Sequence, residues 1–291
     1  MPGPPQVFDL GRTSVILEVI MSNWKMALSS ADVSPVTAPI LLNGTIPENL
    51  RKAARLGYDA IEVHMREDFP VDYDAIHAAT QECGTKVAMV ITGRLNTEGK
   101  CSLIDDIPYV SRAAEEGMNQ YIDVAAKLNA GLVIGWVKGN VPAGRPRGFY
   151  LDRLARSLRR IGSRAADMGV PVNIEVINRY EVNIFNTSAE TAQFIAEHDL
   201  KNCFVHLDTF HMAIEETSIP DAIRTAGDKL GYFHLADNHR HACGTGALNF
   251  REILAALKEI GYQGYLSVEC LPLPDGETAA RQSLEHIRSC L

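Results

Sequence analysis

The 291-residue sequence predicts an α/β protein folded as a single (β/α)8 barrel. Three observations carry this expectation. Short apolar runs rich in Val and Ile alternate with amphipathic stretches from residue 24 to the end of the chain. The runs are continuously apolar rather than alternating, as strands of a parallel sheet buried on both faces must be. Eight strand–helix pairs occur in a length of about 250–270 residues, which is the count and size of such a barrel. The alternative is an open, doubly wound sheet. Its dinucleotide-binding version needs G-x-G-x-x-G after the first strand, and no such motif follows here.

The first predicted strand is "WKMALSS" (24–30), followed by a long loop and a helix at "PENLRKAARLG". "YDAIEVHM" (58–65) is the second strand, and "YDAIHAATQECG" the helix behind it. "KVAMVITG" (86–93) leads to a helix from Pro108 to Asn129, and "AGLVIGWV" (130–137) to "YLDRLARSLRRIGSRAADMG". "VPVNIEVI" (170–177) pairs with "SAETAQFIAEH", and "NCFVHLD" (202–208) with "IPDAIRTAGDKLG". "YFHLAD" (232–237) precedes "NFREILAALKEIG", and "GYLSVEC" (264–270) precedes the closing helix "ETAARQSLEHIRSC". No low-complexity linker divides the chain, so residues 21–291 are read as one domain.

Composition narrows the functional classes. Hydrophobic residues make up 46% and charged residues 22%, which suits a water-soluble protein with a full core. The formal net charge is −8, with no run of Lys and Arg, which counts against a nucleic-acid partner. No stretch approaches the ~18 apolar residues of a membrane span. Six widely spaced cysteines without a C-x-x-C pair read as reduced thiols in a cytoplasmic protein. "TSVILEVI" (13–20) is short, contains Glu18, and lacks the basic start and cleavage site of a signal peptide. Residues 1–20 are read as a disordered extension, with natural translation beginning at Met21.

"HLDTFHM" (206–212) places two histidines and an aspartate at the end of a predicted strand. Alone it decides nothing, because such spacings are common in loops and cores. Chemistry in this fold sits at the C-terminal ends of the strands. Four successive strand ends there carry Glu175, Asp208, His234 and Glu269, about one strand–helix unit apart. Three carboxylates facing one pocket repel each other unless a cation neutralises them. Three oxygens and one nitrogen suit Mn²⁺, Mg²⁺ or Co²⁺ better than a thiolate-rich zinc site. Four protein ligands leave room in an octahedral shell for two oxygens of a substrate. Asp208 is therefore read as a ligand and His211 not. His206, deeper in the strand, is read as a core or supporting histidine.

The motifs "EVINRYE", "LDTFHMAIEE", "FHLADNHR" and "LSVECLPLP" resemble the xylose-isomerase-like TIM barrels that epimerise ketoses. These are the tagatose/allulose 3-epimerases and the related keto-uronate (5-keto-gluconate) epimerases. The resemblance spans most of residues 24–275 and is weakest before residue 57. It implies metal ligands Glu175, Asp208, His234 and Glu269, and sugar-hydroxyl contacts from Glu181, His211 and Arg240; of the metals the donor set suits, Mn²⁺ is read as foremost. It implies inversion at C3 of a ketose through an enediolate, with Glu175 and Glu269 as the acid/base pair on opposite faces of the substrate. A sugar substrate and a homodimer or homotetramer are the expected partners. Two departures lie near the substrate mouth: His239 where relatives commonly have Asn, and Cys243 where they have Pro.

Other residues carry two readings each. Trp136 either walls the sugar or packs at the rim. Glu62 and His64 either support the ligands or belong to the core. Arg94 and Lys138 either meet a substrate carboxylate or phosphate or face water, and a neutral ketose is favoured over a keto-uronate. Gly244 and Gly246 are read as shaping a turn rather than cradling phosphate. The rival functions are a keto-uronate epimerase and an aldose–ketose isomerase of the hydroxypyruvate isomerase kind. More distant are a DNA-repair endonuclease on a related barrel, which needs more histidines and a basic face, and a non-catalytic sugar binder.

Overall fold

Parallel strands run in chain order around a closed ring in a computed structural model that describes residues 24–66 and 71–291. The strands of the ring are β1 (Met26–Ala31), β3 (Ala60–His64), β4 (Lys86–Ile91), β5 (Gly131–Ile134), β6 (Val172–Glu175), β7 (Cys203–Asp208), β8 (Leu230–Leu235) and β9 (Leu266–Val268). Pairing of Met26 with Leu266 and Leu28 with Val268 closes it. The expected eight-stranded barrel is the fold. A ninth strand, β2 (Leu42–Asn43), pairs with the outer end of β1. Two residues are too few to show a period, so it left no sequence signal. The expected extension at 1–20 and the start at Met21 lie outside the described residues.

Helices α1 (Ile46–Leu56), α2 (Tyr73–Cys83), α4 (Pro108–Leu128), α5 (Arg147–Asp167), α6 (Ser188–Glu197), α8 (Ile219–Ala226), α9 (Phe250–Glu259) and α10 (Gly276–Cys290) surround the ring, much as the amphipathic stretches predict. Two short helices, α3 (Gly93–Thr97) and α7 (Thr209–Glu215), begin directly from strand ends and were not foreseen. Both are too short for a 3.6-residue period to show. Local chemistry starts the longer helices. Thr45 and Glu48 form a reciprocal capping box on α1, and Thr187, Ser218 and Asp275 cap α6, α8 and α10.

The core has two parts. The larger lies between strands and helices, where Leu50, Leu132, Leu158, Val205 and Leu257 are fully buried. Each such side chain contributes about 1.5–3 kcal/mol of transfer free energy. The smaller fills the barrel with Ala27, Ala60, Met89, Ile91, Val133 and Tyr232. The interior also buries polar groups that meet beneath β7–β9: Glu62 reaches across from β3 to His234 and Ser267, and His206 lies beside them. That asymmetry puts a polar floor under one half of the rim. None of the six cysteines forms a disulfide, and no described helix is long and apolar enough to cross a membrane.

Candidate metal centre

Strand register brings the four predicted ligand residues together. Glu175 of β6 stands opposite His206 of β7, and Asp208 of β7 stands opposite His234 of β8. Because side chains alternate along a strand, Asp208 points inward one layer above His206. Glu269 directly follows β9, its amide held by the Leu235 carbonyl. One donor atom from each of Glu175, Asp208, His234 and Glu269 lies within 4.8 Å of the others, and all four residues are buried. His234 Nδ1 is 3.3 Å from Glu269 Oε2, 3.5 Å from Asp208 Oδ2 and 3.9 Å from Glu175 Oε1.

Neighbouring groups aim each donor. Asp208 is the last residue of β7 and the N-cap of α7, where its Oδ1 accepts from the Phe210 amide at 2.8 Å. The other oxygen faces His234. Gly135, just beyond β5, leaves space for Glu175: a Cβ there would sit 2.6 Å from Glu175 Oε2. His234 is oriented from below by Glu62, whose Oε2 accepts from His234 Nε2 at 2.8 Å, the Tyr232 hydroxyl at 3.0 Å and Ser267 Oγ at 2.8 Å. With its proton on Nε2, His234 turns the lone pair of Nδ1 toward the three carboxylates. Glu62 thus braces His234 from within the barrel. His64 joins it, with Nε2 3.4 Å from both Glu62 Oε1 and Glu269 Oε1.

These donors fit a hard divalent cation. His234 Nδ1 is buried and has no hydrogen-bond partner among the described residues. Burial alone would lower its pKa, but the charges of Glu62 and Glu269 raise it well above the ordinary histidine value. The Glu175 carboxyl is pushed up to about 8 by burial and by the nearby Glu269 charge. Burial would also raise Asp208, yet the Arg240 guanidinium holds it well below the usual carboxylate range. The upward shifts of His234 and Glu175 both reflect an excess of negative charge at one point. His206, fully buried, packs edge-on to His234 with ring centroids 4.1 Å apart, and burial keeps it neutral.

A cavity of about 550 Å³ opens above this point, and Glu181, His211 and Arg240 all line it. Asn178, which sequence reasoning missed, arranges two of them. Its Nδ2 donates to Glu181 Oε1 and to His211 Nδ1, each at 2.8 Å, while its Oδ1 accepts from the Tyr180 amide. Accepting at Nδ1 leaves the His211 proton on Nε2, directed toward Glu175. Burial lowers the His211 pKa to about 3, so the ring works as a neutral donor. Arg240 donates to both Asp208 and Glu269 and lies over the Phe210 ring at 4.8 Å. Its backbone is left-handed, with φ 65°. Asp237 holds that loop by accepting four amides, those of Asn238, Gly244, Gly246 and Leu248. Gly244 and Gly246 therefore do shape a turn, around a carboxylate that sequence reasoning passed over.

Trp136 lines the cavity, with Nε1 donating to Glu181 Oε2 at 3.0 Å. Arg94 also lines it, but its guanidinium is engaged by Asp32 Oδ1 and Glu98 Oε1, each at 2.7 Å. Lys138 corrects both readings offered for it. It faces neither substrate nor water: it is fully buried and donates to the Gly135 carbonyl at 3.2 Å. Burial lowers its pKa to about 8, against the opposing charge of Glu175.

Known proteins share this frame. The chain is 33% identical over 220 residues, 75% of each sequence, to the L-ribulose 3-epimerase of Methylomonas sp. strain DH-1. It is 38% identical over 152 residues, 51% of this chain and 58% of the other, to the 3-dehydro-D-guloside 4-epimerase of Escherichia coli K12. The crystal structure of a Methylomonas D-allulose 3-epimerase in complex with D-allulose matches with a TM-score of 0.76 at 27% identity. That match covers 92% of this chain and 99% of the other. Residues 50–290 match the family described as xylose isomerase-like TIM barrel, and the chain belongs to that family, alongside enzymes of the isomerase class.

Proposed function

We propose that the protein inverts C3 of a ketose by taking a proton from one face and returning one to the other. The observation that carries this is the convergence of Glu175, Asp208, His234 and Glu269 beneath the cavity. These four residues would hold a divalent ion, Mn²⁺ first and Mg²⁺ or Co²⁺ next. When bound, such an ion supplies a Lewis acid for the carbonyl oxygen and the adjacent hydroxyl, lowering the cost of enediolate charge. Glu175 and Glu269 rise from β6 and from the end of β9. One removes the C3 proton while the other donates from the opposite face. His211 donates through Nε2 to a substrate oxygen, and Glu181 and Arg240 fix neighbouring hydroxyls.

The relatives named for 3-epimerisation of L-ribulose and D-allulose support this reading. A neutral sugar is preferred to a keto-uronate, because Arg94 is engaged by two carboxylates and Lys138 is enclosed. A second reading, epimerisation of C4 beside a C3 ketone in a glycoside, draws on the 38% identity to the guloside 4-epimerase. The chemistry at the reacting carbon is the same. The test is conversion of a panel of free ketoses and 3-keto-glycosides, followed by chromatography before and after chelation. Loss on chelation and recovery with Mn²⁺ or Co²⁺ supports the proposal; full turnover by protein shown to be metal-free by elemental analysis overturns it.

A further inference from the structure

Beyond the cavity lies a second concavity of about 480 Å³, and the two share Thr97, Trp136 and Glu181 in their walls. The linings differ. The inner cavity is largely apolar toward Val33, Pro39, Ile40 and Leu271, whereas the outer groove presents Asn96, Ser102, Asp105 and Asn140.

We infer that this outer groove is a second sugar subsite, which takes a glycosyl unit attached through O1 of the ketose. The inference rests on the reading of the inner cavity as the place where a ketose reacts. A ketose held by its carbonyl and C3 hydroxyl has a long C4–C6 arm and a short C1 arm. The long arm fits the roomier apolar side, so the short arm faces the Glu181 and His211 corner, where a small hydroxyl meets two polar groups. A substituent on O1 then passes the Trp136–Glu181 pair and enters the groove.

The groove is built for a hydroxylated unit. Ser102 Oγ accepts from the Ile104 amide, which leaves the hydroxyl proton to donate. Asp105 Oδ1 accepts from the Ile107 amide at 2.8 Å, which leaves Oδ2 to accept. Asn140 Oδ1 accepts from the Asn183 amide at 2.7 Å and its Nδ2 donates to the Glu181 carbonyl at 3.5 Å, which leaves one amide proton to donate. Each side chain is thus fixed by backbone while retaining hydrogen-bonding capacity. The Trp136 indole, held by Glu181, offers an apolar face at the junction, as sugar rings require.

The experiment compares D-fructose with its 1-O- and 6-O-α-D-glucopyranosyl derivatives, by steady-state kinetics on metal-loaded protein and by titration calorimetry. The 1-O-glucosyl ketose should be epimerised with kcat/KM at least tenfold above fructose, the gain lying in KM, and the 6-O-glucosyl ketose should show no gain. The double variant Ser102→Ala/Asp105→Asn should cut that advantage to threefold or less while leaving fructose kinetics unchanged. If fructose turns over and the 1-O-glucosyl ketose is no better, or the 6-O isomer holds the advantage, the subsite assignment is wrong. If no ketose turns over, the 3-epimerase reading fails separately. Calorimetry then decides the subsite: at least tenfold tighter binding of the 1-O-glucosyl ketose than of fructose upholds it, and equal binding overturns it.

Discussion

Glu175 is asked to serve as a ligand and as a base, yet its surroundings hold its proton on. The carboxyl is pushed up to about 8 by burial and the Glu269 charge, from an ordinary value of 4.5. In metal-free protein the native state therefore keeps a proton that the unfolded chain has already lost at neutral pH. Its stabilising contribution is complete below about pH 4.5 and is lost as pH rises through about 8. A cation at the site reverses the preference, because it binds the carboxylate. Metal affinity, measured by calorimetry, should accordingly rise at least tenfold per pH unit on approaching pH 8, because Glu175 and the likewise raised His234 must each give up a proton to the ion. An affinity flat across that window contradicts the assignment. Glu175→Gln or Glu269→Gln should each lower kcat by about 10²–10⁴-fold, since that is what a positioned acid or base supplies. A variant that still holds metal and works within tenfold of the parent ends the two-carboxylate scheme. Glu62→Gln should instead weaken metal binding by about 10–100-fold, the usual cost of disturbing a group behind a ligating histidine. Unchanged affinity would mean that Glu62 only fills the barrel.

At the level of elements, the sequence was most readable where chemistry sits at a strand end. Glu175, Asp208, His234 and Glu269 stood out because β6 to β9 repeat with one ligand-type residue each, and register does the rest. Asn178 and Asp237 did not stand out, because an amide and an aspartate in loops are ordinary until their partners are seen. Asn178 works by orienting Glu181 and His211, and Asp237 by collecting amides from residues up to eleven positions later. Lys138 was misread for a related reason. Position after a strand suggests a rim, but the short turn at Trp136–Lys138 folds the side chain back under Gly135. Gly135 is similarly silent in sequence, though it borders Glu175. Gly135→Ala should displace that carboxylate and reduce kcat at least tenfold, since small misplacements at a reacting group are costly. Parent-like kinetics in a folded Gly135→Ala protein would show that the close approach has no functional weight. A contrasting change is Thr45→Ala, which removes the α1 cap at a residue that does not line the cavity. It should cost about 1 kcal/mol by denaturant titration without affecting turnover.

For the whole molecule, the division of labour follows from the two cores. The shell between strands and helices is apolar and gives rigidity, while the polar interior under β7–β9 gives an electrostatic bias to one side of the rim. The fold was legible because a closed parallel barrel requires continuous apolar strands and regular alternation, and both are properties of the chain alone. The identity of the sugar was not legible, because cavity walls come from loops whose residues follow no period. Proton exchange at a single carbon leaves an isotopic mark on the product. A ketose that the metal-loaded protein converts should be incubated in D₂O, and the product examined by NMR. Deuterium at C3 of the epimer and at no other carbon is the expected result. Epimer formed without deuterium, or deuterium at C1 or C2 of an aldose, contradicts it.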